Sequence, residues 1–170
     1  MKTALTIVAL LISSFTLKAQ QMIKDTPYHS QPDLHRFDGV WEYSDNNITF
    51  RIILKTEKVL MKSPDVFIDL ISGYHTYIKN NQIIQNSVGK EKTIKIGGFE
   101  NQSKSKNIVS FSFTDMERPI SIRGILELLT VNQLKWTVKN REGVRAILPG
   151  VKQGDRNIYV PNNIILTKVK

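Results

Sequence analysis

The chain has 170 residues, no cysteine and a formal net charge of +9. This length fits one domain of ordinary size, and the lack of thiols excludes disulfide bridges and thiolate metal sites. The basic residues are scattered singly among serine, asparagine and threonine, so we expect a solvated surface of mixed charge and no nucleic-acid partner.

The first 19 residues have the pattern of a cleavable export signal. Lys2 gives a positive start, an apolar run extends from Ala4 to Ile12, and the small residue Ala19 follows a short polar stretch. The apolar run is shorter than the roughly 20 residues that a membrane-spanning helix needs. We therefore expect cleavage after Ala19, export to the periplasm or the medium, and a mature chain of net charge +7 without a transmembrane segment.

Residues 20–36 form a polar segment that contains Pro27 and Pro32 and shows no period of 2 or of 3.6. This composition is typical of an extended arm ahead of a folded domain. We expect the folded domain to begin at Phe37 and to occupy residues 37–170.

From Phe37 onward, short runs of β-branched and aromatic residues alternate with turn residues, which is the pattern of β-strands. In residues 47–55, for example, apolar side chains at every second position alternate with polar ones, and only Ile53 breaks the pattern. Strands with one apolar and one polar face are typical of antiparallel sheets. The pattern predicts about nine strands and no helix. Their centres are Val40, Phe50, Leu70, Ile84, Ile94, Phe111, Ile122, Trp136 and Leu166.

Consecutive antiparallel strands with short connections form either a sandwich or a closed barrel, and the periodicity alone does not choose between them. Closure is the arrangement that removes every exposed strand edge. Gly73 and Gly124 interrupt two long strands, and a glycine inside a strand commonly marks a bulge or a barrel corner.

A Gly-x-Trp sequence, Gly39-Val40-Trp41, stands at the head of the first strand of the domain, and it resembles the motif with which lipocalins begin their barrel. The resemblance implies that Gly39 turns the chain into the strand and that Trp41 closes one end of the barrel. It also implies a basic residue that packs on the indole face, where cation–π attraction favours it. The candidates are Lys168 on the last strand and Arg156 in the loop before it.

Four ordered segments extend the resemblance over nearly the whole chain: residues 37–43, 47–55, 69–77 and 160–168. Together with the export signal they resemble a family of small exported bacterial proteins of unknown function. The resemblance implies an all-β fold, a single antiparallel up-and-down β-barrel of about 8–9 strands that is lipocalin-like, and a Gram-negative envelope setting. It implies no known activity and no catalytic residues.

No catalytic or metal-binding constellation stands out. A zinc site needs three or four converging ligands, whereas the only histidines are His29, His35 and His75, which we expect to be exposed. Asp65 and Asp69 are four residues apart, so a regular strand places both on one face, which we expect to be a solvated outer face rather than a pair for acid–base catalysis. We therefore expect no enzymatic activity, no metal and no cofactor.

The bulky inward faces indicate one activity, because an eight-stranded barrel is just wide enough to be filled by its own side chains or to hold one small ligand. The leading hypothesis is a monomeric exported barrel that binds a small apolar or amphipathic molecule. Its wall candidates are Phe50, Ile52, Leu70, Phe111, Phe113, Ile122 and Trp136. The alternative is a filled barrel whose polar loops near residues 89–92 and 100–106 contact an envelope protein or glycan. A third hypothesis, an isomerase or cyclase, requires a polar group deep in the barrel.

Overall fold

A computed structural model describes residues 26–99, 106–116, 121–139 and 159–169. The export signal, Arg156 and most of the 100–106 loop lie outside the described residues. The described residues form ten β-strands and one short 3-10 helix, η1. In chain order these are β1 (Tyr28–His29), η1 (Pro32–Phe37), β2 (Gly39–Asp45), β3 (Ile48–Lys62), β4 (Asp65–Lys79), β5 (Gln82–Asn86), β6 (Ile94–Phe99), β7 (Ile108–Thr114), β8 (Ser121–Thr130), β9 (Gln133–Lys139) and β10 (Ile164–Val169).

Eight of these strands form a closed antiparallel barrel. Around the barrel the strands follow the order β2, β3, β4, β6, β7, β8, β9 and β10, and β10 pairs with β2 to complete the circle. The up-and-down barrel expected from the sequence is therefore confirmed, and each of the nine predicted strands is present. Strand β1 has no counterpart in the prediction.

One face of each barrel strand is buried, as the period of 2 predicts. On β3 the side chains of Phe50, Ile52 and Leu54 are buried, while Arg51 and Lys55 on the other face are exposed. The same alternation runs through β7 and β8. Because successive side chains of a strand point to opposite faces, these inward positions meet in one apolar core.

Strand β4 pairs with two different strands along one edge. Its residues Ile71–Gly73 pair with β6, and Thr76–Lys79 pair with β5. Strands β5 and β6 therefore follow each other along the same edge of β4, and residues 87–93 separate them. The ladder is interrupted beside His75, which lies between the two paired stretches of β4.

The 3-10 helix η1 occupies the last part of the segment that the sequence pattern predicts to be an extended arm. Leu34 and Phe37 share one face of η1, since this helix has three residues per turn, and both side chains are fully buried. Ordered, buried structure thus begins before Phe37. Two apolar residues in a single turn are too few to show a period, which explains why the polar composition of residues 20–36 dominates the prediction.

The chain forms two compact units. The smaller unit includes β1 and Lys58–Ile68, the stretch in which β3 turns into β4. Within this unit Tyr28 pairs in parallel with Phe67, and the backbone N–H of Phe67 donates to the carbonyl of Pro27 at 2.8 Å. The larger unit contains Gln31–Glu57 and the chain from Asp69 onward.

A side chain extends the sheet where β10 begins. The N–H of Val138 donates to Oδ1 of Asn162 at 2.8 Å, and Nδ2 of Asn162 donates back to the carbonyl of Val138 at 3.0 Å. The indole of Trp136 donates to the carbonyl of Pro161 at 3.0 Å. Pro161 and Asn162 therefore provide hydrogen-bond partners for Trp136 and Val138 at the end of β9, where β10 does not pair with it.

Within the residues that the structure describes, no helix is long and apolar enough to cross a membrane.

Candidate functional site

The residues of the Gly-x-Trp segment pack with Lys168 at one end of the barrel. Trp41 is fully buried, and its indole N–H donates to the carbonyl of Phe37 at 2.8 Å. Lys168 lies opposite Trp41 in the β2–β10 register, with its Nζ 4.9 Å from the ring centroid. Gly39 has φ of +131°, and a Cβ there would lie 2.7 Å from Cε of Lys168. This end is thus occupied by packed side chains, which favours a structural role for it.

Six of the seven wall candidates are buried in the core: Phe50, Ile52, Phe111, Phe113, Ile122 and Trp136. The seventh, Leu70, is only half-buried, and its neighbour Ile71 is the inward residue of β4. The inward placement of Leu70 is therefore wrong. Residues 66–71 are apolar on both faces apart from Asp69, so the period of 2 does not indicate which face is inward.

The aromatic wall candidates pack against one another. The ring centroid of Trp136 on β9 lies 5.2 Å from that of Phe50 on β3, and 4.4 Å and 5.6 Å from those of Phe111 and Phe113 on β7. Such separations are those of aromatic rings in contact. Because the three strands lie at different positions around the barrel, the rings fill this level of the interior.

A buried polar network lies beside the aromatic rings. His75 is 0 % exposed, and its ring lies 4.9 Å from that of Phe113. Its Nδ1 is 2.7 Å from Oγ1 of Thr93, and its Nε2 is 2.8 Å from Oε1 of Gln85. Nε2 of Gln85 in turn donates to Oδ1 of Asp115 at 2.9 Å. The barrel interior therefore contains a hydrogen-bonded polar group as well as an apolar core.

The network spans the break between β5 and β6. The N–H of His75 donates to the hydroxyl of Ser87 at 2.8 Å, in place of a backbone carbonyl of a neighbouring strand. The N–H of Ser87 donates to the carbonyl of His75 at 2.9 Å, and that of Thr93 donates to the carbonyl of Gly73 at 3.0 Å. The Ser87 hydroxyl and the backbone N–H groups of Ser87 and Thr93 thus satisfy backbone groups that the interrupted ladder leaves, as buried backbone groups require.

The hydrogen bonds favour one tautomer of neutral His75. Because Gln85 directs its amide N–H to Asp115, its Oε1 accepts, and Nε2 of His75 is the donor. Nδ1 then accepts from the Thr93 hydroxyl. Burial lowers the pKa of His75 below its ordinary value, although the Gln85 hydrogen bond and the Asp115 charge act in the opposite direction. His75 is therefore neutral at pH 7.

Two sequence expectations about polar residues are wrong. His29 and His35 are exposed, but His75 is buried, because it shares the inward face of β4 with Ile71 and Tyr77. Asp69 is also buried rather than on a solvated face, and its Oδ2 accepts the N–H of Gln31 at 2.8 Å. His75 and Asp69 each lie an even number of residues from Ile71 and Tyr77, so they share a face of β4 with them, but the period of 2 alone does not indicate that this face is the inward one.

The network is poorly placed for acid–base catalysis. Both ring nitrogens of His75 are engaged by protein side chains, and the ring has no exposed surface, whereas a general base must reach the proton it removes. Across the described part of the chain, no group of three or more His, Cys, Asp or Glu side chains is arranged to hold a metal ion.

The opposite end of the barrel has an apolar rim of four partly buried side chains that pack on the core: Tyr43, Ile48, Ile84 and Ile164. Tyr43 pairs with Phe50, and Ile164 pairs with Trp136, so both lie directly beside the aromatic level. At this end the β2–β3 and β4–β5 turns meet, since the N–H of Asn80 donates to the carbonyl of Asn47 at 2.8 Å. We call this end the mouth.

Gln85 belongs to the same region, since it pairs with Tyr77 next to the β4–β5 turn and follows Ile84 in the chain. The mouth thus combines partly exposed apolar side chains with a buried amide and, through it, the Asp115 carboxylate.

Comparisons with known proteins give a family and no activity. No curated protein and no solved structure matches the chain. A model of a family of unknown function, DUF6705, matches residues 1–169. The chain, an eight-stranded up-and-down barrel with a buried histidine network, belongs to this family.

Proposed function

We propose that the protein binds a small amphipathic molecule at the mouth of the barrel. The apolar part of the molecule contacts the rim side chains Tyr43, Ile48, Ile84 and Ile164, and its polar part is directed toward Gln85. The observation that carries the proposal is the rim itself: four large apolar side chains at one barrel end that the core buries only in part.

The filled aromatic level supports a shallow site rather than a deep one. Trp136 contacts both Phe50 and Phe113 across the interior, so a ligand that rests on the rim meets the upper surface of these rings and does not pass between them. Partial exposure of Ile84 and Ile164 leaves apolar area that a ligand would remove from water, at roughly 25 cal/mol per Å².

The polar network supports an amphipathic ligand over a purely apolar one. Gln85 and Asp115 are buried polar side chains close to the rim, and binding sites commonly combine apolar walls with a few polar groups that orient the ligand. The setting that we propose is the bacterial envelope or medium, after removal of residues 1–19. The intact mass of the protein purified from an exporting host tests that removal.

Competition for a fluorescent probe tests the binding proposal. The purified chain is titrated with 1-anilinonaphthalene-8-sulfonate, and the probe is displaced with decanol, decanoate or decylamine, which share one chain length and differ in head group. We expect at least one of the three to displace the probe with saturation. Failure of all three would refute the proposal.

The chain offers matched variants for this assay. I84S and I164S shorten rim residues, whereas I83S and I165S change the adjacent, exposed isoleucines. Loss of one partly buried isoleucine contact should weaken binding about tenfold. Equal affinities in the rim and control variants would place the bound molecule elsewhere on the protein.

A second candidate function is contact with an envelope protein or glycan through the loops. The filled aromatic level favours it, because a filled barrel needs no ligand. Hydrogen exchange separates the two candidates. A glycan or protein that binds the chain but leaves hydrogen exchange at Ile84 and Ile164 unchanged would support the second candidate over the first.

A further inference from the structure

The segment in which β3 turns into β4 exposes large apolar side chains. We call residues 58–68 the tip segment. Leu60 and Met61 are 44 % and 41 % exposed, and Tyr28 of the adjoining strand β1 is 47 % exposed. All three belong to the smaller compact unit. Leu60 and Met61 are consecutive and so expose apolar area on both faces of β3; apolar groups concentrated in one short exposed segment, unlike scattered single ones, indicate a contact surface.

Basic side chains flank these apolar groups. Lys58, Leu60 and Lys62 occupy every second position of β3 and so point to the same face. The Nζ of Lys58 lies 4.2 Å from the ring centroid of Tyr28 and 4.4 Å from that of Phe67. These cation–π contacts hold the ammonium beside the exposed tyrosine. The tip segment therefore presents apolar and positive groups together.

We propose that the tip segment binds the surface of an anionic phospholipid bilayer. Leu60 and Met61 enter the boundary between head groups and acyl chains, as apolar side chains of peripheral proteins do. Tyr28 lies at the level of the head groups, where tyrosine is enriched, and Lys58 and Lys62 face the lipid phosphates. The basic net charge, +9 for the whole chain and +7 after removal of residues 1–19, adds long-range attraction to such a surface.

The charge pattern favours a bilayer over a second copy of the chain. A two-fold symmetric contact that paired Leu60 with Leu60 of another copy would bring Lys58 and Lys62 of both copies together, because such an interface uses the same surface twice. Like charges placed opposite each other disfavour that contact. An anionic bilayer complements the same lysines.

Vesicle flotation tests this inference. The full chain is mixed with vesicles that contain phosphatidylglycerol or with vesicles of phosphatidylcholine alone, and bound protein is quantified after flotation. The test variant is L60S/M61S, and the matched control is V131S, which changes a 79 % exposed valine in the β8–β9 turn. We expect binding to phosphatidylglycerol vesicles that L60S/M61S weakens at least about tenfold and V131S leaves unchanged.

Charge is tested separately. K62Q should bind phosphatidylglycerol vesicles about fivefold more weakly, and salt at about 1 M should weaken binding of the unaltered chain because it shortens the Debye length. Residues 1–19 are identical in all variants, so the comparison holds whether or not they are removed.

Three results would overturn the inference, provided that circular dichroism shows L60S/M61S to be folded. One is equal vesicle binding by L60S/M61S and V131S. Another is equal binding to the two vesicle types. The third combines two observations: sedimentation velocity shows a concentration-dependent dimer that L60S/M61S abolishes, and no variant binds vesicles. That result would show that the tip segment contacts a second copy of the chain. If L60S/M61S does not fold, K62Q is the test variant instead. Unchanged vesicle binding by K62Q would also refute the inference.

Discussion

Acidification should destabilise the protein through His75. Burial lowers the pKa of His75 in the folded chain, whereas in the unfolded chain the residue titrates near its ordinary value of about 6.5. Between these two values the unfolded chain binds a proton that the folded chain does not bind. The free energy of unfolding must therefore fall as the pH drops through about 6.5, and it continues to fall until the folded pKa is reached.

The size of the effect follows from one proton. A single residue contributes at most about 1.4 kcal/mol of unfolding free energy for each pH unit between the two pKa values. Because His75 is fully buried, solvent screening does not reduce this contribution. H75Q should remove it, since glutamine does not titrate but still offers an N–H to the Gln85 oxygen that Nε2 of His75 now contacts.

Urea unfolding followed by tryptophan fluorescence between about pH 7 and about pH 5 measures the effect. We expect the unaltered chain to lose more stability over this interval than H75Q. H29Q, which changes an exposed histidine of β1, should behave like the unaltered chain. If H75Q and the unaltered chain have the same pH slope, the neutral, buried assignment of His75 is wrong.

Three further substitutions test the packing of the barrel by urea unfolding. G124A should cost about 1–3 kcal/mol, because a Cβ there would lie 2.5 Å from Cε1 of Phe111; G97A, whose Cβ would meet nothing within 4 Å, should be nearly neutral, and equal costs would contradict the close approach. K168M should cost about 0.5–1 kcal/mol and K168R less, since the arginine retains a cation over the indole; an unchanged stability of K168M would argue against this contact. N162D should cost about 1–3 kcal/mol because it removes a donor to β9, and hydrogen exchange at the Val138 amide should accelerate; an unchanged exchange rate would refute that bond.

Much of the fold is predictable from the sequence because local rules and the global fold agree. The period of 2 locates the strands, since each barrel strand buries one face. The Gly-x-Trp segment stands where the barrel begins, and the structure places Lys168, one of two basic candidates, over the indole of Trp41. The other candidate, Arg156, lies outside the described residues.

The parts that the sequence did not predict depend on contacts between distant segments. Leu70 and Ile71 are consecutive residues of β4 and are similarly hydrophobic, so only packing decides which of the two points inward. The burial of His75 follows from the break between β5 and β6, which leaves backbone groups for Ser87 and Thr93 to satisfy. The mouth is not predictable from the sequence either, because the period of 2 identifies the inward face of a strand but not how far a residue lies from the barrel ends.

The most direct test of the binding site is a map of backbone amide chemical shifts during titration with whichever of decanol, decanoate or decylamine binds. We expect the largest shifts at Tyr43, Ile84 and Ile164, around the mouth, and unchanged resonances at Trp41 and Val131, at the opposite end. Shifts concentrated at that opposite end, or none at saturating ligand, would contradict the proposal that the mouth holds an amphipathic molecule.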